Sequence, residues 1–325
     1  MHPAFSVIFL TTLIGAAQGL FLGLFSTQLY SELNILPNVA DSNFYGIGAV
    51  ISLLLLGGGL ISSFFHLGHP ERAWRAATMW RTSWLSREAL ALPLMIAAVF
   101  FYGAIHLGGY DSIAYTHGDI KLSVSLFAGI FGVFATFTLF ICTAMIYACI
   151  KFLQEWSSPL TVINYILFGT ASGFALATAL ASYFGLTEHT LFLGNWAIIL
   201  TVLVFLTRSA SLYRNSRIKF KSSVQSAIGI RHNKIVQKSQ GAMGGSFNTR
   251  EYFHGKTAMF LKSVKYIFMV LVFPIPLILL FSAVESSNTG VLFAAFAIQY
   301  IGLIAERWYF FAQANHPQNI YYQTV

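Results

Sequence analysis

The sequence predicts an all-α polytopic membrane protein, eight transmembrane helices in one bundle. Three observations carry that expectation. Hydrophobic residues make up 56% of the 325 positions and charged residues 9%, against roughly 25% charged in an ordinary soluble domain. The apolar residues come in long runs rather than in alternation. All of the lysines and arginines except Lys121 fall on one side once the loops between runs are assigned to alternating faces. Residues 1–325 therefore read as a single integral-membrane domain, interrupted by one long basic loop at 208–263.

A bilayer core needs roughly 20 apolar residues per helix, and eight runs meet that length: 4–29, 44–65, 89–107, 122–150, 160–184, 191–207, 264–284 and 289–311. No lysine or arginine precedes the first, so it reads as a retained helix rather than an export signal. Gly15, Gly19 and Gly23 recur along it at every fourth position, and Gly169, Gly173, Ala177 and Ala181 do the same in the fifth run. Small residues at that spacing let backbones approach in lipid, where apolarity itself drives no association. Cys142 and Cys149 lie two turns apart on one face of the fourth run. With no CxxC pattern they read as packing residues. Gln18, Asn164, Asn195 and Gln299 are polar but uncharged, as interhelical hydrogen-bonding groups would be. A row of ionisable groups suited to a pump or channel is missing.

The partition of charge orients the bundle. The N-terminus, the 66–88 loop, the 151–159 loop, the 208–263 loop and the C-terminus share the basic face, which the positive-inside rule makes cytoplasmic. Within the long loop, GAMGGSFNTREYFHGK (241–256) suits contact with anionic lipid headgroups or docking of a protein.

Chemistry is expected in HLGHPERAWRAATMWRTSWLSRE (66–88), because ionisable groups at membrane depth are costly unless they meet water, a partner or a ligand. His66 ends the second run. Neutral imidazole both donates and accepts hydrogen bonds and titrates near neutral pH, which suits a quinone carbonyl or a quinol proton. The plainer alternative is a histidine capping its helix. His69, before Pro70, reads as a loop residue. Glu88 opens the third helix, where the helix dipole is a sufficient reason for an acid; passing protons from a quinol pocket is the other. Arg72 and Arg75 flank Trp74, and Trp80 and Trp84 follow, a pattern ordinary for interfacial anchors and equally able, with Arg87, to line a headgroup pocket. Glu306, Arg307, Trp308 and Tyr309 close the eighth run on the same face. They complete a pocket with His66, or Glu306 and Arg307 pair with each other or with the 66–88 loop.

The other histidines argue against haem b, whose axial ligands face one another inside the helices. His106, His117 and His189 lie at or beyond the opposite face, and His2, His232, His254 and His316 lie in tails or the long loop. Zinc motifs, phosphate-binding glycine loops and nucleophilic triads are missing. A secondary transporter would show broken helices in matching halves, whereas only the seventh run carries a proline pair, Pro274 and Pro276.

The stretch ISSFFHLGHPERAWRAATMWRTSWLSRE (61–88) resembles the membrane-anchor subunit family of dimethyl sulfoxide reductase, in which a helix ends in His-Leu-Gly-x-Pro-x-Arg-Ala and Leu-Ser-x-Glu leads into the next. Here these are His66-Leu67-Gly68-His69-Pro70-Glu71-Arg72-Ala73 and Leu85-Ser86-Arg87-Glu88. HPAFSVIFLTTLIGAAQGL is also similar, and the eight-span plan agrees over the whole chain. The resemblance implies a subunit without haem or an iron–sulfur cluster of its own, sited in a bacterial inner membrane. Its exchangeable redox partner is menaquinol or ubiquinol, and it serves anaerobic respiration. Its partners are a ferredoxin-like iron–sulfur subunit and a molybdopterin catalytic subunit, with no nucleic acid among them. The family's quinol-site histidine and glutamate map onto His66 and Glu88. Arg72, Trp74, Arg75, Arg87 and Glu306 are the expected surroundings of that pocket. The 208–263 loop departs from shorter members. Similar anchors serve quinone-reducing sulfite dehydrogenases, with electrons running the other way; a passive anchor without a quinone site is the remaining alternative.

Overall fold

The computed structural model of the chain describes residues 1–37, 40–118, 120–220, 223–232, 234–236 and 253–317. Among the described residues, eight spans are long and apolar enough to cross a membrane. They are α1 (Phe5–Glu32), α2 (Ser42–Phe64), α3 (Trp84–Leu107), α4 (Val124–Ala148), α5 (Pro159–Tyr183), α6 (Thr187–Ser216), a seventh in two pieces and a final helix. After a short α7 (Val224–Ile228), the seventh comprises α8 (Ala258–Val272) and α9 (Pro274–Ala283), and α10 (Thr289–Ala312) completes the bundle. Local chemistry sets the boundaries. The side chains of Ser83, Ser123, Ser158, Thr257 and Asn288 accept hydrogen bonds from free N–H groups at the starts of α3, α4, α5, α8 and α10, the usual remedy for unpaired amides at a helix N-terminus. Pro274 has no N–H to give the preceding turn, so the seventh span breaks there, with Phe273 at φ −111°, ψ −77°.

At the axis lie α1 and α5. A methyl group on Gly19 would overlap the carbonyl oxygen of Gly169, and one on Gly173 would overlap the Gly19 backbone. The two glycine series thus meet each other and bring these helices into backbone contact. Around this pair the outer helices turn large apolar side chains outward: Leu54 and Phe134 are each 70% exposed and Phe281 is 67% exposed. Such a continuous greasy exterior is stable only against lipid.

Several boundaries differ from the hydropathic ones. The sixth span continues as helix from Arg208 through Ser216, beyond the apolar run ending at 207, because Arg208 pairs with Glu306 inside the bundle and Arg214 is held by the carbonyls of Gln154 and Ser157. The third helix begins at Trp84, so Glu88 lies one turn inside it. Between α3 and α4, β1 (Ile113–His117) and β2 (Ile120–Ser123) form an antiparallel hairpin, unanticipated because it caps the bundle end without an apolar run. Of the long loop, residues 237–252, with most of 241–256, lie outside the described residues.

Contacts fix which segments share an end. The Met1 nitrogen donates to the carbonyls of Ala312 and Ala314, Trp156 Nε1 to Phe310 O, and Arg214 to Gln154 O and Ser157 O. At the other end, Glu32 accepts from Ser123 N and Oγ, Tyr102 donates to Gln28, and Asp111 accepts from Ser125.

Candidate functional site

The site segment begins where α2 runs out. After Phe64 and Phe65 the chain leaves the helix, and His66 N–H reaches back to Ser63 O at 3.5 Å. Pro70 then starts a 3-10 helix, Pro70–Ala77, with no buried residue. His69 Nδ1 lies 3.0 Å from Glu71 Oε1, and Arg72 Nε lies 3.7 Å from the same oxygen. The Arg75 and Arg81 guanidiniums sit over the rings of Trp74 and Trp80. His66, Arg72, Trp74 and Arg75 are all exposed. The flanking segments desolvate the His66 ring enough to hold its pKa below the ordinary value, so the imidazole is neutral at neutral pH.

Two residues at the start of α3 fasten this segment. Ser86 Oγ donates to Ala76 O and accepts from Met79 N. Arg87 donates to Trp80 O at 2.9 Å and to Arg81 O at 2.8 Å, and stacks 4.1 Å from the Trp84 ring. Arg87 therefore ties the 66–88 loop to α3.

Glu88 points inward. It is 8% exposed, and its Oε1 accepts a 2.6 Å hydrogen bond from Thr143 Oγ1 on α4. Thr143 in turn lines a small internal void with Thr11, Gln18, Tyr165 and Arg307.

Glu306 belongs to a different group. At 1% exposure, it meets Arg208 Nη2 at 2.8 Å and Arg307 Nη1 at 3.5 Å. Its ion pairs run to these two arginines and none, among the described residues, to the 66–88 segment. Arg307 also covers the Tyr165 ring at 3.8 Å. The expected pocket residues thus separate into an exposed rim (His66, Arg72, Trp74, Arg75), a fastener (Arg87), an inward acid (Glu88) and a buried ion triad (Glu306 with Arg208 and Arg307). Sequence reading missed Arg208, Thr143 and Tyr165. Only Arg208 left a signal, as an arginine directly after an apolar run at a depth matching Glu306.

The histidines of the opposite end have local partners. His106 Nδ1 lies 3.3 Å from Ser42 Oγ and 3.7 Å from Asp111 Oδ2, and His189 Nε2 lies 3.3 Å from Ser31 Oγ.

An eight-span bundle with a greasy exterior and one chemically dense face defines an integral membrane protein. The chain belongs to the DMSO reductase anchor subunit family, whose model matches residues 1–312. It is also 53% identical, over the full length of both chains, to a sulfite dehydrogenase subunit of Allochromatium vinosum.

Proposed function

We propose that the chain is the quinone-reactive membrane subunit of a sulfite-oxidising molybdenum complex. It would receive electrons from a ferredoxin-like iron–sulfur subunit seated on the face that bears His66. The observation that carries the quinone site is the exposed His66 imidazole beside Phe64 and Phe65, 43% and 81% exposed, where α2 reaches the membrane surface. An aromatic approach from lipid and a ring able to donate or accept suit the headgroup of a lipid-soluble quinone. When bound, the quinone supplies a two-electron, two-proton acceptor. His66 hydrogen-bonds a ring oxygen, Glu88 holds a proton for delivery from the inner side, and Arg72 and Arg75 orient the headgroup and dock the partner. This face is assigned to the cytoplasm by its basic residues, with both chain ends on that side.

The likeness to a sulfite dehydrogenase subunit favours electron flow into the quinone pool. The family match keeps the reverse direction, quinol oxidation by a DMSO reductase-type complex, as the second reading. Both use the same residues. In membranes containing the full complex, His66→Ala should abolish sulfite-dependent reduction of a water-soluble quinone analogue while the partner subunits remain membrane-bound. Normal turnover by the assembled variant would refute the site. Quinol-driven reduction of dimethyl sulfoxide, without the sulfite reaction, would select the second reading.

A further inference from the structure

Apart from its arginines, the 66–88 segment carries four groups that exchange protons readily: His66, His69, Glu71 and Glu88. In the quinone reading His66 and Glu88 meet the quinone, and His69 and Glu71 have no part. Those two nevertheless form a pair. His69 Nδ1 lies 3.0 Å from Glu71 Oε1, and Arg72 Nε lies 3.7 Å from the same oxygen. Their side chains are 69% and 62% exposed, so the pair stands in water, whereas Glu88 is buried against Thr143. Between an imidazole and a carboxylate, which only accepts, the hydrogen lies on Nδ1, and Nε2 is left as the nitrogen that exchanges.

His66 is open at both ring nitrogens. Among the described residues no group hydrogen-bonds its ring, and partial desolvation alone lowers its pKa. At neutral pH the ring therefore holds one proton and stores no second. An imidazole in that state can give its N–H proton on one side and take another at its other nitrogen, which makes it a relay in need of a source. The source has to be near. Three residues of chain span at most about 10 Å. Here the separation is shorter, because Leu67 N–H bonds Phe64 O at 3.3 Å and the backbone bends at Gly68. A methyl group on Gly68 would meet no described atom within 4 Å, so the backbone joining the two histidines is open to water.

We propose that His69, oriented by Glu71, collects protons from the aqueous face and recharges the His66 ring after each proton that ring gives to the quinone. This deepens the quinone reading and rests on it. A quinone that takes two electrons from the iron–sulfur subunit takes two protons to become the quinol. Glu88 gives one. The other leaves a ring N–H of His66 for a quinone oxygen, and His66 takes its replacement at the second nitrogen from His69 through intervening water. His69 then takes a proton from bulk water. Neither His69 nor Glu71 touches the quinone: both act through His66, Glu71 as a positioning residue. With quinol oxidation the same groups run in reverse and release the proton to water.

The need for a collector follows from rates. At roughly pH 8, hydronium arriving at the diffusional limit of about 10⁹–10¹⁰ M⁻¹s⁻¹ reaches a single site about 10–100 times per second. That lies within ordinary turnover of about 1–10³ s⁻¹, so a lone ring at the membrane surface becomes limiting as pH rises. The charged neighbours of the pair are few. Glu71 and Arg72 share its own 3-10 helix, the end of α2 contributes only Phe64 and Phe65, and α3 contributes Arg87, which is held by the carbonyls of Trp80 and Arg81.

The test uses the full complex in lipid nanodiscs, with sulfite and a water-soluble quinone analogue. His69→Gln should leave the partner subunits bound and KM for the analogue unchanged. Its kcat should fall about tenfold at roughly pH 8.5 and stay near wild type at roughly pH 6.5, where hydronium is about a hundredfold more abundant. Added imidazole, a diffusible proton donor, should restore the alkaline rate. Glu71→Gln should show a smaller loss of the same form. An unchanged alkaline kcat in His69→Gln overturns the proposal, and so does a loss that imidazole leaves in place, which is how weakened docking would look. His66→Ala separates this result from the quinone reading. If it is inactive while His69→Gln is unimpaired, the collector fails and the quinone site stands; if it is fully active, the quinone site fails and the collector with it.

Discussion

Glu306 holds two guanidiniums at once, and the consequence of removing it differs from that of removing either arginine. Glu306→Ala strands two buried cations and should destabilise the protein by about 3–5 kcal/mol, the range for breaking a buried ion pair from one side. Arg208→Met leaves Glu306 paired with Arg307 and should cost clearly less. Thermal unfolding of the detergent-solubilised variants gives the comparison, and equal losses would argue against the shared carboxylate. His66 supplies the pH dependence. Its pKa lies below the ordinary imidazole value of about 6.5, so the folded state binds its proton less readily than the unfolded chain. The neutral ring is fully populated above the ordinary value and is lost as pH falls through the depressed folded one. Ring NMR of isotope-labelled histidine, assigned with His66→Gln, should place the midpoint below the ordinary value; a midpoint at or above it would contradict the partial desolvation. At this scale the sequence was only partly legible. His66 and Glu88 were recognisable from their motif, but that Glu88 faces Thr143 and Glu306 faces Arg208 depends on which helices become neighbours, and no local pattern records that.

The glycine series shows what is legible at the level of an element. The four-residue spacing in α1 and α5 announced close helix packing, and these two helices meet each other through it. Gly173→Leu would drive a side chain into the α1 backbone, which has no flexible end to yield. Such overpacking costs typically about 1–3 kcal/mol and more where backbone is struck, so folded protein in membranes should fall sharply. Gly57→Ala, at a position with no described atom within 4 Å of a new methyl, should accumulate normally. The proline pair likewise marked the break in the seventh span. Helix ends were less readable, since hydropathy stops at the first charge whereas α6 carries Arg208 on an unbroken hydrogen-bonded spiral. The 3-10 helix and the β hairpin bury little apolar surface and left no periodic signal.

For the whole molecule, eight spans and their common face were readable because a misplaced span would have scattered the basic residues over both sides. The contacts among Met1, Trp156, Arg214 and α10 put the corresponding segments at one end of the bundle. With the exposed Cys149 first changed to serine, a cysteine at Thr78 should react with a membrane-impermeant maleimide only in inverted vesicles, and one at Tyr110 only in right-side-out cells. The opposite pattern would reverse the orientation and move the partner subunit to the other side.

The meeting of α1 with α5 also constrains biosynthesis. The first helix leaves the ribosome with its glycine face bare, and its mate is not translated until three further spans have entered the bilayer. During that interval the groove is lined by lipid or by an insertion factor. Nascent chains arrested before residue 159 should therefore be recognised as incomplete by membrane quality control, however well their first four spans are inserted.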